Sequence, residues 1–110
     1  MKNIVLCGFM GCGKSTVGRR LAQILKMDFI DMDQWIEKRQ GRQISAIFAQ
    51  EGEAFFRNLE REACRQLSGQ QGLVLSTGGG TLLSAENAGV LRRTGTIFLL
   101  DAPLAAIRER

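Results

Sequence analysis

A chain of 110 residues and 12.1 kDa is the size of one domain, and its 31 Leu, Ile, Val and Phe residues are too many for a disordered segment and enough for one core. One Pro and no low-complexity tract exclude fibrous and linker-like chains. Lys and Arg exceed Asp and Glu by 15 to 11, a net charge of +4 that suits a phosphate-bearing ligand, and the lack of His excludes His-based general-base catalysis and His-ligated metals.

Residues 3–7 form a short apolar run, which predicts a strand buried on both faces. A glycine-rich turn follows, then a helical pattern with Val17, Leu21, Ile24 and Leu25 on one face and Arg19, Arg20, Gln23 and Lys26 on the other. A second strand is expected at 29–31, a helix at 34–39 closed by Gly41, and a short helix marked by Ile44, Ile47 and Phe48. Residues 53–67 read as a long helix with Phe56, Leu59, Ala63 and Leu67 as its buried stripe. Leu73-Val74-Leu75 predicts a third strand, Ser84 caps a helix running to about Leu91, and 96–100 predicts a fourth strand. Pro103 opens a last helix that has no C-cap signal before Arg110. Strands alternating with helices predict an α/β fold with a mostly parallel sheet of four strands, covered on both faces.

Gly8-Phe-Met-Gly-Cys-Gly13-Lys14-Ser15 matches G-x-x-x-x-G-K-[ST] at every fixed position, between a predicted strand and a predicted helix. Glycines let the backbone curl so that successive N–H groups face phosphate oxygens, and the helix adds its N-terminal partial charge. In such a loop Lys14 reaches the β- and γ-phosphates and the Ser15 hydroxyl is placed for Mg²⁺. Asp31 and Asp33 lie at the carboxyl end of the second predicted strand, where open α/β sheets collect ligands. On extended backbone both carboxylates would face one cleft, with one near a metal and the other on a hydroxyl substrate; the alternative makes Asp33 the N-cap of the following helix.

Arg57, with Glu53 four residues before it and Glu60 three after, is either a surface ion-pair partner or a bidentate carboxylate binder. Gly78-Gly79-Gly80 is either a plain turn or a place where backbone N–H groups approach a ligand closely. Asp101, closing the apolar run 97–100, competes with Asp31 for the metal, but it also suits an N-cap before Pro103.

Together these residues resemble the shikimate kinase family. The resemblance rests on Gly8–Thr16, the Asp31-Met-Asp33 pair, Phe56-Arg57 with Glu60, and Thr77-Gly78-Gly79-Gly80, and it runs over essentially the whole chain. It implies a P-loop three-layer sandwich of the nucleoside-monophosphate-kinase type that phosphorylates the 3-hydroxyl of shikimate with ATP, with Mg²⁺ as cofactor. By the same resemblance Gly11, Cys12, Gly13, Lys14, Ser15, Thr16 and Arg110 bind ATP, with Arg110 near the adenine. Asp33, Arg57, Gly79 and Gly80 hold shikimate, Lys14 and Asp33 are catalytic, and Ser15 and Asp31 attend Mg²⁺. Another small-metabolite kinase, such as a gluconate kinase, and a non-catalytic nucleotide- or metabolite-binding module are the alternatives.

Family members continue with a lid arginine and a further strand, so residues 1–110 read as a single P-loop kinase domain incomplete at its C-terminus. That predicts nucleotide binding with little turnover. It also predicts a monomer at full length and self-association of the shorter chain through an exposed sheet edge. Cys7, Cys12 and Cys64 are odd in number and have no zinc-like spacing, which fits reduced thiols in the cytoplasm. The start loosely imitates a signal peptide but breaks at Gly8, and the longest uncharged stretch, 66–85, is rich in Gln, Gly and Ser. No membrane and no nucleic-acid partner are expected, the latter because no basic run interleaves with aromatics.

Overall fold

The computed structural model describes residues 2–8, 14–78, 81 and 84–100. In chain order these form β1 (Asn3–Gly8), α1 (Lys14–Leu25), β2 (Asp28–Asp31), α2 (Met32–Gln40), α3 (Ile44–Glu51), α4 (Glu53–Ser68), β3 (Leu73–Ser76), α5 (Ala85–Arg92) and β4 (Gly95–Leu100). The sheet order is β2-β3-β1-β4 and every pairing is parallel, with Asp31 opposite Ser76, Leu6 opposite Ser76 and Leu6 opposite Phe98.

Alternation along the strands sorts the apolar residues into two layers. Val5, Leu73 and Leu75 face a core shared with Met32 and Ile36 of α2, Ile47 of α3, Phe56, Ala63, Cys64 and Leu67 of α4, and Leu91 of α5. Leu6 and Val74 face the other way, onto Ala22 of α1, with Ile4, Val17, Met27 and Phe29 around them. The expectation of helices on both sheet faces is met.

Three local expectations are corrected. On α1 the buried residues among those described are Gly18 and Ala22, while Ile24 and Leu25 are 64% and 41% exposed. Apolar periodicity marks a helix face, and the width of what the sheet covers decides which part of it is buried. On α4 Glu60 and Cys64 take the buried stripe with Phe56, Ala63 and Leu67, whereas Leu59 is only partly buried. The helix expected from Gln34 begins at Met32, and Gly41 ends it with φ at 66° and its N–H on Glu37 O, 2.9 Å away.

Asn3, inside what reads as an apolar run, is buried as a bracket at the amino edge of the sheet. Its Nδ2 donates to Gln70 O at 2.9 Å, and its Oδ1 accepts from Leu73 N at 2.9 Å. Those bonds satisfy backbone groups of the turn entering β3 and fix that strand's start beside β1. No helix among the described residues is long and apolar enough to cross a membrane.

Candidate active site

The four parallel strands finish along one edge, at Gly8, Asp31, Ser76 and Leu100. Loops leaving such an edge and the helix N-termini that follow them form the usual ligand crevice of an open α/β sheet. Thr77 extends the β3–β1 pairing past the strand end, donating both its N–H and its hydroxyl to Leu6 O at 3.0 Å. The backbone is thereby held on its way into Gly78.

Asp31 ends β2 and is the N-cap of α2, its Oδ1 accepting from Gln34 N at 3.1 Å. The alternative of Asp33 as N-cap is therefore overturned, and so is the picture of both carboxylates on extended backbone. The chain turns helical at Met32, so Asp33 lies in the first turn of α2. Its carboxylate still reaches the crevice. A Cβ built on Gly78 would stand 2.8 Å from Asp33 Oδ1, 3.3 Å from Glu60 Oε2 and 3.3 Å from Thr81 Oγ1. Three oxygen-bearing side chains, from α2, from α4 and from the segment after β3, thus converge on a backbone position that only glycine can occupy without displacing one of them.

Arg57 joins this cluster through Glu60. Its Nη1 donates to Glu60 Oε1 at 2.6 Å, and its Nη2 lies 3.7 Å from Glu53 Oε2. The two partners differ: Glu53 is 72% exposed, Glu60 only 1%, and Arg57 itself 42%. The hydrogen bond to Glu60 is the main cause that pushes the guanidinium above its already high ordinary pKa; partial burial opposes it, and the charges of Glu60 and Glu53 add to it. Arg57 is thus anchored on one side by a buried carboxylate while part of its fork faces solvent.

Glu60 and Thr81 escaped the sequence reading as site residues. Glu60 carried a signal, since Phe56, Glu60, Ala63, Cys64 and Leu67 form an i, i+4, i+7, i+8, i+11 stripe with a carboxylate inside it. Thr81 carried none; it is buried because its hydroxyl donates to Glu60 Oε2 at 2.7 Å and its carbonyl accepts from Asn87 Nδ2 at 3.1 Å.

Of the other expected site residues, Thr16 is exposed in the first turn of α1, which begins at Lys14. Gly11, Cys12, Gly13, Gly79, Gly80, Asp101, Arg110 and the side chains of Lys14 and Ser15 lie outside the described residues. No group of three His, Cys, Asp or Glu able to hold a metal lies among the described residues. Mg²⁺ needs none, because it keeps water and phosphate oxygens around one or two protein oxygens. A hard carboxylate at the end of β2, on the edge where the P-loop leaves β1, fits such an ion.

A family model for shikimate kinase matches residues 10–110. The chain belongs to the shikimate kinase family. Among curated relatives, the shikimate kinase of Persephonella marina is 47% identical over 110 residues, all of this chain and 67% of that protein. The shikimate kinase of Pasteurella multocida is 52% identical over 109 residues, 99% of this chain and 62% of its own length. The chain thus spans about two thirds of the length of these shikimate kinases. Among solved structures, a shikimate kinase from Acinetobacter baumannii in complex with shikimate superposes with a TM-score of 0.90 at 41% identity, covering 100% of this chain and 62% of that one. A gluconokinase from Sinorhizobium meliloti reaches a TM-score of 0.52 at 19% identity over 89% of this chain and 55% of that one, a likeness of fold alone.

Proposed function

We propose that this chain carries the nucleotide- and shikimate-binding part of an enzyme that transfers the γ-phosphoryl group of ATP to the 3-hydroxyl of shikimate, giving shikimate 3-phosphate, ADP and a proton. The observation that carries the reading is the convergence of Asp33 and Glu60 on Gly78, with Arg57 held on the other oxygen of Glu60, at the sheet edge where β1 ends. An anchored guanidinium with part of its fork exposed is suited to a carboxylate, and an acidic side chain beside it is suited to a hydroxyl.

In this reading Arg57 binds the substrate carboxylate, and backbone N–H groups of Gly79 and Gly80 hold the ring. Asp33 accepts a hydrogen bond from the attacking hydroxyl, orients it and takes its proton as the oxygen–phosphorus bond forms. Backbone N–H groups of Gly11, Cys12, Gly13 and Thr16 cradle the β-phosphate, Lys14 neutralises charge on the β- and γ-phosphates, and Arg110 stands against the adenine. Ser15 and Asp31 would hold Mg²⁺, which neutralises phosphate charge when bound. Phosphoryl transfer depends mostly on positioning and charge neutralisation, so a carboxylate is base enough. Three cysteines in no zinc-like spacing suit a reduced, cytoplasmic setting.

Calorimetry with shikimate and, separately, with ADP tests the assignment. Arg57→Lys replaces the planar fork by a point charge and should weaken shikimate binding roughly ten- to hundredfold, with ADP binding unchanged. Equal losses for both ligands, or no shikimate binding by the parent chain, would overturn it.

A further inference from the structure

We propose that Thr81 is a positioning residue for Arg57: its hydroxyl occupies one oxygen of the buried Glu60 carboxylate, so that Arg57 engages Glu60 through a single nitrogen and keeps the rest of its fork, held only by a 3.7 Å contact of Nη2 with the exposed Glu53, for an anionic ligand. The proposal rests on the reading of Arg57 as the residue that binds the substrate carboxylate.

A carboxylate has two oxygens, and a guanidinium frequently meets both, because the two-pronged pairing adds energy and fixes the geometry. Here that pairing does not form. Arg57 Nη1 is 2.6 Å from Oε1, while Oε2 accepts from Thr81 Oγ1 at 2.7 Å. Glu60 is buried, so an oxygen deprived of its donor has no water to replace it and must draw on the nearest N–H. Arg57, already bonded to Oε1 of the same carboxylate, is the side-chain donor that can swing onto it. With the hydroxyl removed, the guanidinium would rotate onto both Glu60 oxygens and turn its fork inward.

Thr81 is itself held in place for this task. It is fully buried, its carbonyl accepts from Asn87 Nδ2 at 3.1 Å, and its N–H donates to Gly78 O at 3.3 Å. Asn87 in turn sits in the first turn of α5, its N–H on the Ser84 Oγ cap at 3.3 Å. The hydroxyl is thus fixed from α5 and from Gly78, independently of α4. Among the described residues its hydroxyl also lies 3.7 Å from Met32 Sδ, a weak acceptor.

The test uses Thr81→Val, which keeps the shape and removes the hydroxyl, and Thr81→Ser, which restores it. Thr81→Ala reads the same loss if the second methyl of Val is not accommodated. The first readout is independent of any substrate: nitrogen-15 NMR of the Arg57 guanidinium, whose Nη groups exchange more slowly the more of them are held. Thr81→Val should change the Nη signals, and Thr81→Ser should return them to those of the parent chain. The second readout is calorimetry, in which Thr81→Val should weaken shikimate binding about tenfold, equivalent to about 1.4 kcal/mol, without changing ADP binding, and Thr81→Ser should restore it. Arg57 signals unaltered in Thr81→Val, or altered equally in Thr81→Ser, would overturn the positioning role. Altered and rescued signals in a parent chain that does not bind shikimate would uphold the positioning role and overturn the substrate assignment instead.

Discussion

Arg57 and Glu60 are an ion pair of unequal partners: 2.6 Å apart, with the carboxylate 1% exposed and the guanidinium 42% exposed. The charge that needs the pair is the buried one. Removing Arg57 would leave Glu60 with the Thr81 hydroxyl as its remaining donor in the cluster. Losing a partner of a buried charge costs about 3–5 kcal/mol when no water can enter, and the opening left by a half-exposed side chain reduces that to about 1–3 kcal/mol. Arg57→Ala should therefore destabilise the fold measurably in urea. Arg61→Ala, whose partner Glu86 is 3.5 Å away and 51% exposed, should cost less than about 1 kcal/mol. Equal midpoint shifts for the two variants would show that Glu60 does not depend on its partner.

Gly78→Ala should damage binding more than stability. The new methyl would meet Asp33 Oδ1 at 2.8 Å, so the Asp33 carboxylate must leave its present position. Glu60 Oε2 and Thr81 Oγ1, both at 3.3 Å, are locked to each other and yield less. Overpacking of this size costs about 1–3 kcal/mol. Calorimetry should find shikimate affinity reduced at least tenfold, with the folded fraction at room temperature unchanged.

Two substitutions of Asp31 separate its cap from its charge. Asp31→Ala deletes the acceptor for Gln34 N and should cost about 0.5–2 kcal/mol. For a domain of this size each kcal/mol lowers Tm by about 4–8 °C. Asp31→Asn keeps an oxygen cap, so its Tm should stay near that of the parent. If Asp31 attends Mg²⁺, Asp31→Asn should nonetheless weaken the magnesium dependence of nucleotide binding. Unchanged magnesium dependence in a fully stable Asp31→Asn chain would move that role to Asp101.

Cys64 links the fold to alkaline pH. Burial in the α4 face pushes its thiol up to about 12, with the charge of Glu60 adding to the effect. In the unfolded chain a thiol ionises near pH 9, so the folded state alone retains the proton between about 9 and 12. This contribution to stability is complete below pH 9 and is lost as pH rises through that window, by at most about 1.4 kcal/mol per pH unit. Cys64→Ala should flatten the decline measured by urea unfolding above pH 9. At neutral pH a thiol reagent should spare Cys64 in the folded chain and modify it once the chain is denatured.

What the sequence by itself determined is whatever depends on neighbours along the chain. The P-loop pattern, the strand–helix alternation, the Ser84 cap and the Gly41 stop are local, because a cap or a phosphate loop is made by residues a few positions apart. Asp33 and Arg57 could be singled out as candidates on the same basis. Local pattern could not distinguish a surface ion pair at Arg57 from an anchored one, since Glu53 and Glu60 are both one helical turn away and differ only in what covers them. Coverage is tertiary. The sheet turns α4 so that Glu60 rather than Leu59 faces inward, and a buried carboxylate must then find donors wherever the fold supplies them. One donor comes from three residues back on α4 and the other from Thr81, 21 residues ahead, across the end of β3. Gly78 shows the same division. Three consecutive glycines announce a need for close approach, but only the placing of α2 and α4 beside Gly78 shows that Asp33 and Glu60 are what approaches it. A hydrogen bond closed through space leaves no period in the sequence, so these contacts had to be seen in three dimensions.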